Sequence, residues 1–347
     1  MKVLLHDNQL CERGTTNSVI TYARALQNVG HEVAIGYRRD HPGNVDEVVR
    51  KVEAEFALMP YSESSELTRA SRSFDATYFQ KSGNKDGLSA TSPRVIVHAV
   101  FQEFQPHGTS YYYISEWLAR RVKQRIFSPR SARDVAWSAR AITRGLRGLV
   151  DGTANAFDFD SVPYMCDLPV PTEDMRRALD IPEDAFVILR YGGFSTFDIP
   201  WVPEVLRSLL EQMPHLYFVG VNTPTILNHP RALFLPRTVS EQAKSNLLGS
   251  ADLFLTARQS GESFGLAHVE ALQVGLPVLA YGGGWDRNQV EMLKPIDGLY
   301  MSEQELRTKI ELHLAGSNRS NNAYRRIGDE YRPAAVTPKL EAALFNS

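Results

Sequence analysis

Residues 2–37 read KVLLHDNQLCERGTTNSVITYARALQNVGHEVAIGY, and this stretch decides the fold class. Residues 2–6 form a β-rich run. Residues 7–16 are polar, with Gly14 as a breaker. Val19, Ile20, Tyr22, Ala23, Leu26 and Val29 then recur at helical spacing. Gly30 stands where glycine commonly ends a helix. Residues 32–37 are a second β-rich run. Strand, helix and strand in so short a span make a βαβ unit, whose crossover forces the two strands parallel.

Outward from this unit the alternation repeats. Residues 45–56 suit a helix and 56–59 a short strand. Residues 76–80 and 95–100 are further strands. The unbroken apolar run Val95-Ile96-Val97 fits a parallel strand buried on both faces. Residues 115–150 read as helical, with a break at Ser128-Pro129. Residues 162–171, VPYMCDLPVP, have three prolines and no helical period, which marks an interdomain linker. A second α/β series follows. Its strands are expected at 186–191, 216–221, 253–256 and 277–281, with helices at 201–213, 240–248 and 265–273. Residues 302–345 read as mostly helical. The fold class is therefore α/β, with two doubly wound parallel-sheet domains in succession, over residues 1–165 and 166–325. Residues 326–347 are expected to form a C-terminal helix packing back on the first domain. Open α/β sheets bind ligands beyond the carboxyl ends of their strands, so the expected site is the cleft between the domains.

Composition narrows the function. A chain of 347 residues can bury about 75 % of its unfolded surface and needs no staples to fold. Its 43 % hydrophobic and 22 % charged residues are those of a globular protein. A net charge of −2, from 38 basic and 40 acidic residues, gives no global attraction to nucleic acid. The two cysteines, Cys11 and Cys166, cannot make a cysteine-based zinc site and fit a reducing compartment. The N-terminal apolar run meets His6-Asp7-Asn8 too early for a signal peptide. The expectation is a cytoplasmic chain, with peripheral attachment at the inner face of a membrane left open.

The chemistry concentrates in residues 257–280, ARQSGESFGLAHVEALQVGLPVLA. Glu262 lies in the loop before a helix and Glu270 in its second turn. A helix N-terminus presents N–H groups and a positive dipole end, which suit a diphosphate. Gly265 lets a phosphate approach the backbone. Ionised carboxylates accept hydrogen bonds, so two of them beside a phosphate site suit a ribose and a sugar.

This stretch resembles the Glu-x7-Glu motif of GT-B glycosyltransferases, most of all the retaining family 4 type. Other segments are similar to that family in the same order. They are Gly30-His31-Glu32-Val33, the linker at 162–167, Asp180-Ile181-Pro182-Glu183-Asp184, Gly275-Leu276-Pro277-Val278 and Gly282-Gly283-Gly284. The resemblance implies two Rossmann-like domains facing a cleft. It implies a UDP- or GDP-linked nucleotide-sugar donor on the second domain and an acceptor on the first, in glycan or glycolipid synthesis. Retention of configuration is implied, with no metal and no further cofactor. Glu262 would hold the donor sugar's hydroxyls at the catalytic centre, and Glu270 the ribose. The backbone of Ser263, Phe264, Gly265 and Leu266 would meet sugar and diphosphate.

The loop after the first strand of the second domain departs from the family. It reads Arg190-Tyr191-Gly192-Gly193-Phe194, with Gly193 where the family has an arginine, and no lysine follows. Arg190 and Arg258 are the candidate replacements, and the backbone of Gly192 and Gly193 is a further donor. In the first domain Gly14, followed by Thr15 and Thr16, either meets a phosphate or acceptor or precedes a plain threonine helix cap. Arg13 is a candidate for an anionic group. His98, at the end of a strand, is the second catalytic candidate, against a half-buried structural histidine. His6 and His107 are weaker candidates. His268, inside the Glu-x7-Glu span, is equally explained by a helical face. Asp158-Phe159-Asp160 resembles the metal motif of a different glycosyltransferase fold by chance.

Residues 115–150 carry nine basic residues against two acidic, with Trp117 and Trp137 among them. A solvated helical face, an anionic membrane surface and a nucleic-acid backbone are the three readings. The last leaves open an enzyme that glycosylates DNA bases, and a non-catalytic GT-B scaffold is the other alternative.

Overall fold

The computed structural model describes residues 1–238, 240–316 and 321–345. The chain divides into two compact units. The first is Met1–Met165 with Arg332–Ser347, and the second is Cys166–Tyr331.

In the first unit β1 (Lys2–His6), α1 (Gly14–Asn28) and β2 (Glu32–Arg38) form the opening βαβ unit. Then come α2 (Asp46–Glu53), β3 (Ala57–Tyr61), α3 (Ser64–Ala70), β4 (Ala76–Lys81), β5 (Arg94–Ala99), β6 (Ser110–Tyr113), α4 (Glu116–Phe127) and α5 (Ala132–Val150). The six strands are parallel and ordered β3-β2-β1-β4-β5-β6. Central β1 buries Val3, Leu4 and Leu5 fully, each worth about 1.5–3 kcal/mol. The winding reverses between β1 and β4, so the carboxyl ends of these strands form a switch point.

The second unit repeats the plan. Its elements are β7 (Phe186–Tyr191), α6 (Val202–Gln212), β8 (Leu216–Val221), β9 (Ala232–Leu235), α7 (Glu241–Gly249), β10 (Leu253–Thr256), β11 (Gly261–Glu262) and α8 (Leu266–Gln273). They continue with β12 (Val278–Tyr281), β13 (Asp286–Arg287), α9 (Asn288–Leu293), β14 (Leu299–Tyr300), α10 (Glu303–Leu314) and α11 (Asn321–Asp329). The six-stranded parallel sheet runs β14-β12-β10-β7-β8-β9, and β11 pairs separately with β13. The switch point here lies between β7 and β10.

The chain then returns to the first unit. Helix α12 (Pro333–Phe345) packs on α1, β4 and β5. His31 Nε2 lies 2.9 Å from Glu341 Oε1, and the His31 and Phe345 rings are 4.8 Å apart.

The architecture is the α/β pair of doubly wound sheets expected from the alternation. Several short elements escape the pattern: β6, β9, β14 and α3. Edge strand β9 is only half-buried throughout, so it lacks the unbroken apolar run of a central strand. The helical stretch after residue 115 breaks into α4 and α5. Ser115 and Ser131 cap them by accepting from the backbone N–H groups of Leu118 and Asp134. Among the described residues no helix is long and apolar enough to cross a membrane.

Candidate active site

The loop leaving β10 enters α8 through a fixed path. At Gly261 φ is +76°, and a Cβ there would stand 1.8 Å from the Asp286 carbonyl oxygen. Only glycine lets β11 pair this closely with β13. The Glu262 backbone N–H donates to Gln289 Oε1 at 3.0 Å. Its carboxylate accepts from Arg258 Nη1 at 2.8 Å, while Arg258 Nε donates to Ser260 Oγ at 2.9 Å. Burial pushes the Glu262 carboxyl above its ordinary value, against the pull of Arg258, and Asp286 adds to the rise.

Helix α8 begins at Leu266, after Gly265 in the left-handed conformation at φ +94°. Phe264 is buried edge-on to Tyr331, and its carbonyl accepts from Asn288 Nδ2 at 2.7 Å. Ser263, Phe264, Gly265 and Leu266 thus line the helix entry, where backbone N–H groups and the dipole favour an anion. One turn further, Glu270 points inward. Lys244 Nζ, from α7, donates to Glu270 Oε1, and both side chains are 6 % exposed. The same Nζ lies 5.3 Å from the centre of the Tyr191 ring. Burial alone would lower the Lys244 pKa, but the Glu270 carboxylate outweighs it and holds the ammonium charged.

Sequence reading missed Lys244. Its one signal is spacing: Lys244, Leu247 and Leu248 fall at i, i+3 and i+4, which puts a lysine on the inward face.

The loop after β7 corrects one expectation. Arg190 does not offer its guanidinium to a phosphate. It is 1 % exposed. Nη1 donates to the carbonyls of Val221 and Asn222 at 3.2 and 3.0 Å and to Thr223 Oγ1 at 2.9 Å. Nη2 donates to the Gly193 carbonyl and to Thr196 Oγ1. Burial lowers its pKa to about 10, which leaves it charged at neutral pH. Arg190 therefore pins the loop that carries Gly192 and Gly193, with Gly193 and Phe194 exposed. Asn222 Nδ2 holds the Gly192 carbonyl at 2.8 Å. Asp198 ties this loop to the next: its N–H donates to Ala257 O at 2.9 Å and its Oδ1 accepts from Gln259 N at 2.7 Å. Glu262, Arg258, Glu270, the α8 entry and the Gly192-Gly193 loop thus belong to one cluster at the switch point of the second sheet.

His98 is not placed for catalysis. It is fully buried inside the first unit, among Tyr22, Tyr78 and Tyr164. Nδ1 meets the Tyr78 hydroxyl at 2.5 Å. Burial lowers its pKa to about 4, so the ring is neutral near pH 7. A buried neutral imidazole neither reaches a substrate nor donates charge to it. His6 is likewise buried, with Nε2 2.8 Å from the Tyr61 hydroxyl, and burial lowers its pKa to about 3. His107 Nδ1 lies 2.7 Å from the Gln105 carbonyl, with the pKa lowered by burial to about 4. His268 lies on the buried face of α8, with Nε2 2.8 Å from Thr256 Oγ1.

Gly14 is the first residue of α1, and the cap position is Arg13, with no side-chain capping bond. The threonine-cap reading fails: Thr16 Oγ1 donates instead to buried Asp7 Oδ2 at 2.6 Å. Arg13 Nη2 stands 3.5 Å from Asp7 Oδ1. Among the described residues there is no group of three or more His, Cys, Asp or Glu side chains that could hold a metal ion.

Residues 227–327 match the family model described as "Glycosyl transferases group 1". No curated protein matches the sequence. The fold is similar to that of Alr3699/HepE from Anabaena, solved with UDP and glucose, at a TM-score of 0.64 and 13 % identity over 98 % of both chains. It is similar to a glycosyltransferase from Rickettsia africae at a TM-score of 0.66 and 12 % identity, over 100 % of this chain and 99 % of that one. A sucrose-phosphate synthase from Thermosynechococcus elongatus gives a TM-score of 0.59 and 15 % identity, over 98 % and 97 %. With a group 1 glycosyltransferase domain at residues 227–327, on a GT-B fold of two parallel six-stranded sheets, this chain is a glycosyltransferase.

Proposed function

We propose that the enzyme moves a sugar from a nucleoside diphosphate sugar to an acceptor hydroxyl, with retention of configuration, in glycan or glycolipid synthesis. The observation that carries this reading is the pair of carboxylates, Glu262 and Glu270, held on either side of the α8 entry. The second unit takes the donor and the first unit takes the acceptor. Glu270, oriented by Lys244, accepts from the ribose hydroxyls. Glu262, oriented by Arg258, accepts from the donor sugar's hydroxyls. The backbone of Ser263, Phe264, Gly265 and Leu266 and that of Gly192 and Gly193 face the diphosphate, with Arg258 nearby as the guanidinium. The UDP bound by the Anabaena protein supports a UDP-linked donor, and a GDP-linked one is the alternative.

In the reaction the bond from the anomeric carbon to the diphosphate oxygen breaks. The acceptor oxygen bonds to that carbon, and its proton passes to the departing diphosphate oxygen. Negative charge grows on the leaving diphosphate, and preorganised N–H groups at a helix entry stabilise that charge more than the ground state.

The test is donor hydrolysis and transfer by the purified chain over UDP- and GDP-linked sugars. Product anomeric configuration is read by NMR. Glu262→Ala should abolish turnover, and Glu270→Ala should remove nucleotide-induced thermal stabilisation. A chain that neither binds nor hydrolyses any nucleotide sugar would overturn the reading.

A further inference from the structure

The loop between β12 and β13 presents a large aromatic side chain to solvent beside Glu262. Trp285 is 68 % exposed, whereas Trp117, Trp137 and Trp201 are each part-buried. Its backbone is nevertheless held tightly. The N–H groups of Trp285 and Asp286 both donate to the Ser260 carbonyl, at 3.1 and 3.0 Å. Gly284, at φ +87°, makes room for that approach, since a Cβ there would stand 2.5 Å from the same oxygen.

Two side chains tie this loop to Glu262. Ser260 Oγ accepts from Arg258 Nε, and Nη1 of the same arginine holds the Glu262 carboxylate. Gln289, 1 % exposed, accepts from the Glu262 backbone N–H through Oε1 and donates to the Tyr281 carbonyl at 3.2 Å through Nε2. The carboxylate and the indole thus stand in a fixed relation within one unit. Leaving an indole in water gives up apolar burial, and a side chain with two rotatable bonds on a pinned backbone costs little entropy to bind against. The fold therefore holds an aromatic surface ready beside a carboxylate.

We propose that Trp285 is the platform for the pyranose ring of the donor sugar, and so a specificity-determining residue of the transfer. The inference rests on the donor reading above. A pyranose is amphipathic: its rim carries hydroxyls and its faces carry C–H groups. Glu262 can accept from the rim, while a flat apolar ring covers a face. The diphosphate gains nothing here, because the face of an indole is its negative side. The base lies beyond the ribose, which the same reading puts at Glu270, away from this loop. The sugar is the part of the donor that both groups can hold at once.

The test compares the full wild-type chain with Trp285→Ala and Trp285→Phe, in hydrolysis of UDP-glucose and GDP-mannose and in calorimetric binding of UDP and GDP. Trp285→Ala should lower kcat/KM for the accepted nucleotide sugar roughly tenfold or more, and leave the Kd of the matching nucleoside diphosphate within about twofold. Trp285→Phe should recover most of the loss. Both variants should keep the wild-type melting temperature, because the side chain is exposed. Three results would overturn the proposal in a chain that binds nucleotide. Equal loss of nucleoside diphosphate affinity would put the indole on the base. Unchanged kinetics in Trp285→Ala would remove it from the donor. Loss of self-association at unchanged kinetics, read by sedimentation, would make it a contact between copies. A wild-type chain that binds neither nucleotide would overturn the donor reading itself, and this inference with it.

Discussion

Lys244 and Glu270 form a buried ion pair between α7 and α8, with the lysine ammonium also facing the Tyr191 ring. The pair joins two helices and orients the carboxylate proposed to meet the ribose. Removing one partner leaves the other charge buried and uncompensated, which costs about 3–5 kcal/mol. Lys244→Met should therefore destabilise the chain by that order in denaturant unfolding, and should weaken nucleotide binding as well. A loss of less than about 1 kcal/mol would show that water or rearrangement compensates the carboxylate.

Arg258 opposes the rise that burial imposes on the Glu262 carboxyl. Since the ionised form is the one that accepts from sugar hydroxyls, activity should fall on acidification, with an apparent midpoint above that of an ordinary glutamate. Arg258→Gln removes the opposing charge, so the acid limb of kcat/KM should move to higher pH. A limb that stays or moves lower would show that Arg258 does not set the Glu262 charge.

Buried histidines give the fold its own acid sensitivity. The His98 pKa falls from 6.5 to about 4 on folding, through burial. The folded state thus favours the neutral ring. That contribution is fully present above about pH 6.5 and is lost as pH falls toward 4, to the extent of roughly 3 kcal/mol. His98→Phe should flatten that part of the stability–pH curve while leaving kcat near wild type in the folded protein. A large loss of kcat in a stable His98→Phe chain would restore the catalytic reading of this residue.

Gly265 combines φ +94° with a Cβ position 2.6 Å from His268 Nδ1. Gly265→Ala should cost about 1–3 kcal/mol of strain and displace the α8 entry. The donor KM should rise by more than a global stability change predicts, measured well below the melting temperature. An unchanged KM would mean that the helix entry does not contact the donor.

Arg190 ties the β7 loop to the residues after β8 through five protein oxygens. Arg190→Lys keeps the charge but cannot span these acceptors. It should lower stability by about 1–3 kcal/mol, with unsatisfied carbonyls left behind. If Arg190→Lys instead keeps stability and loses only nucleotide affinity, the arginine is a ligand after all.

Much of this protein is legible along the chain. The strand runs 2–6 and 95–100, the helical spacing of Val19 to Leu26 and the proline-rich stretch at 162–171 mark two α/β series. The reason is that apolar periodicity and breaker residues act locally. Glu262, Gly265 and Glu270 stand out for the same reason, as one loop and one helix entry bring them together. Only the tertiary structure decided what becomes of the charged and polar side chains. Lys244 meets Glu270 across 26 positions, and Arg190 meets Thr223 across 33. His98 is enclosed by rings from Tyr22, Tyr78 and Tyr164. Whether a charge faces solvent, a ligand or a buried partner depends on which distant segments pack around it. No local window of sequence contains those segments, since burial is a property of the packed core and not of the residue.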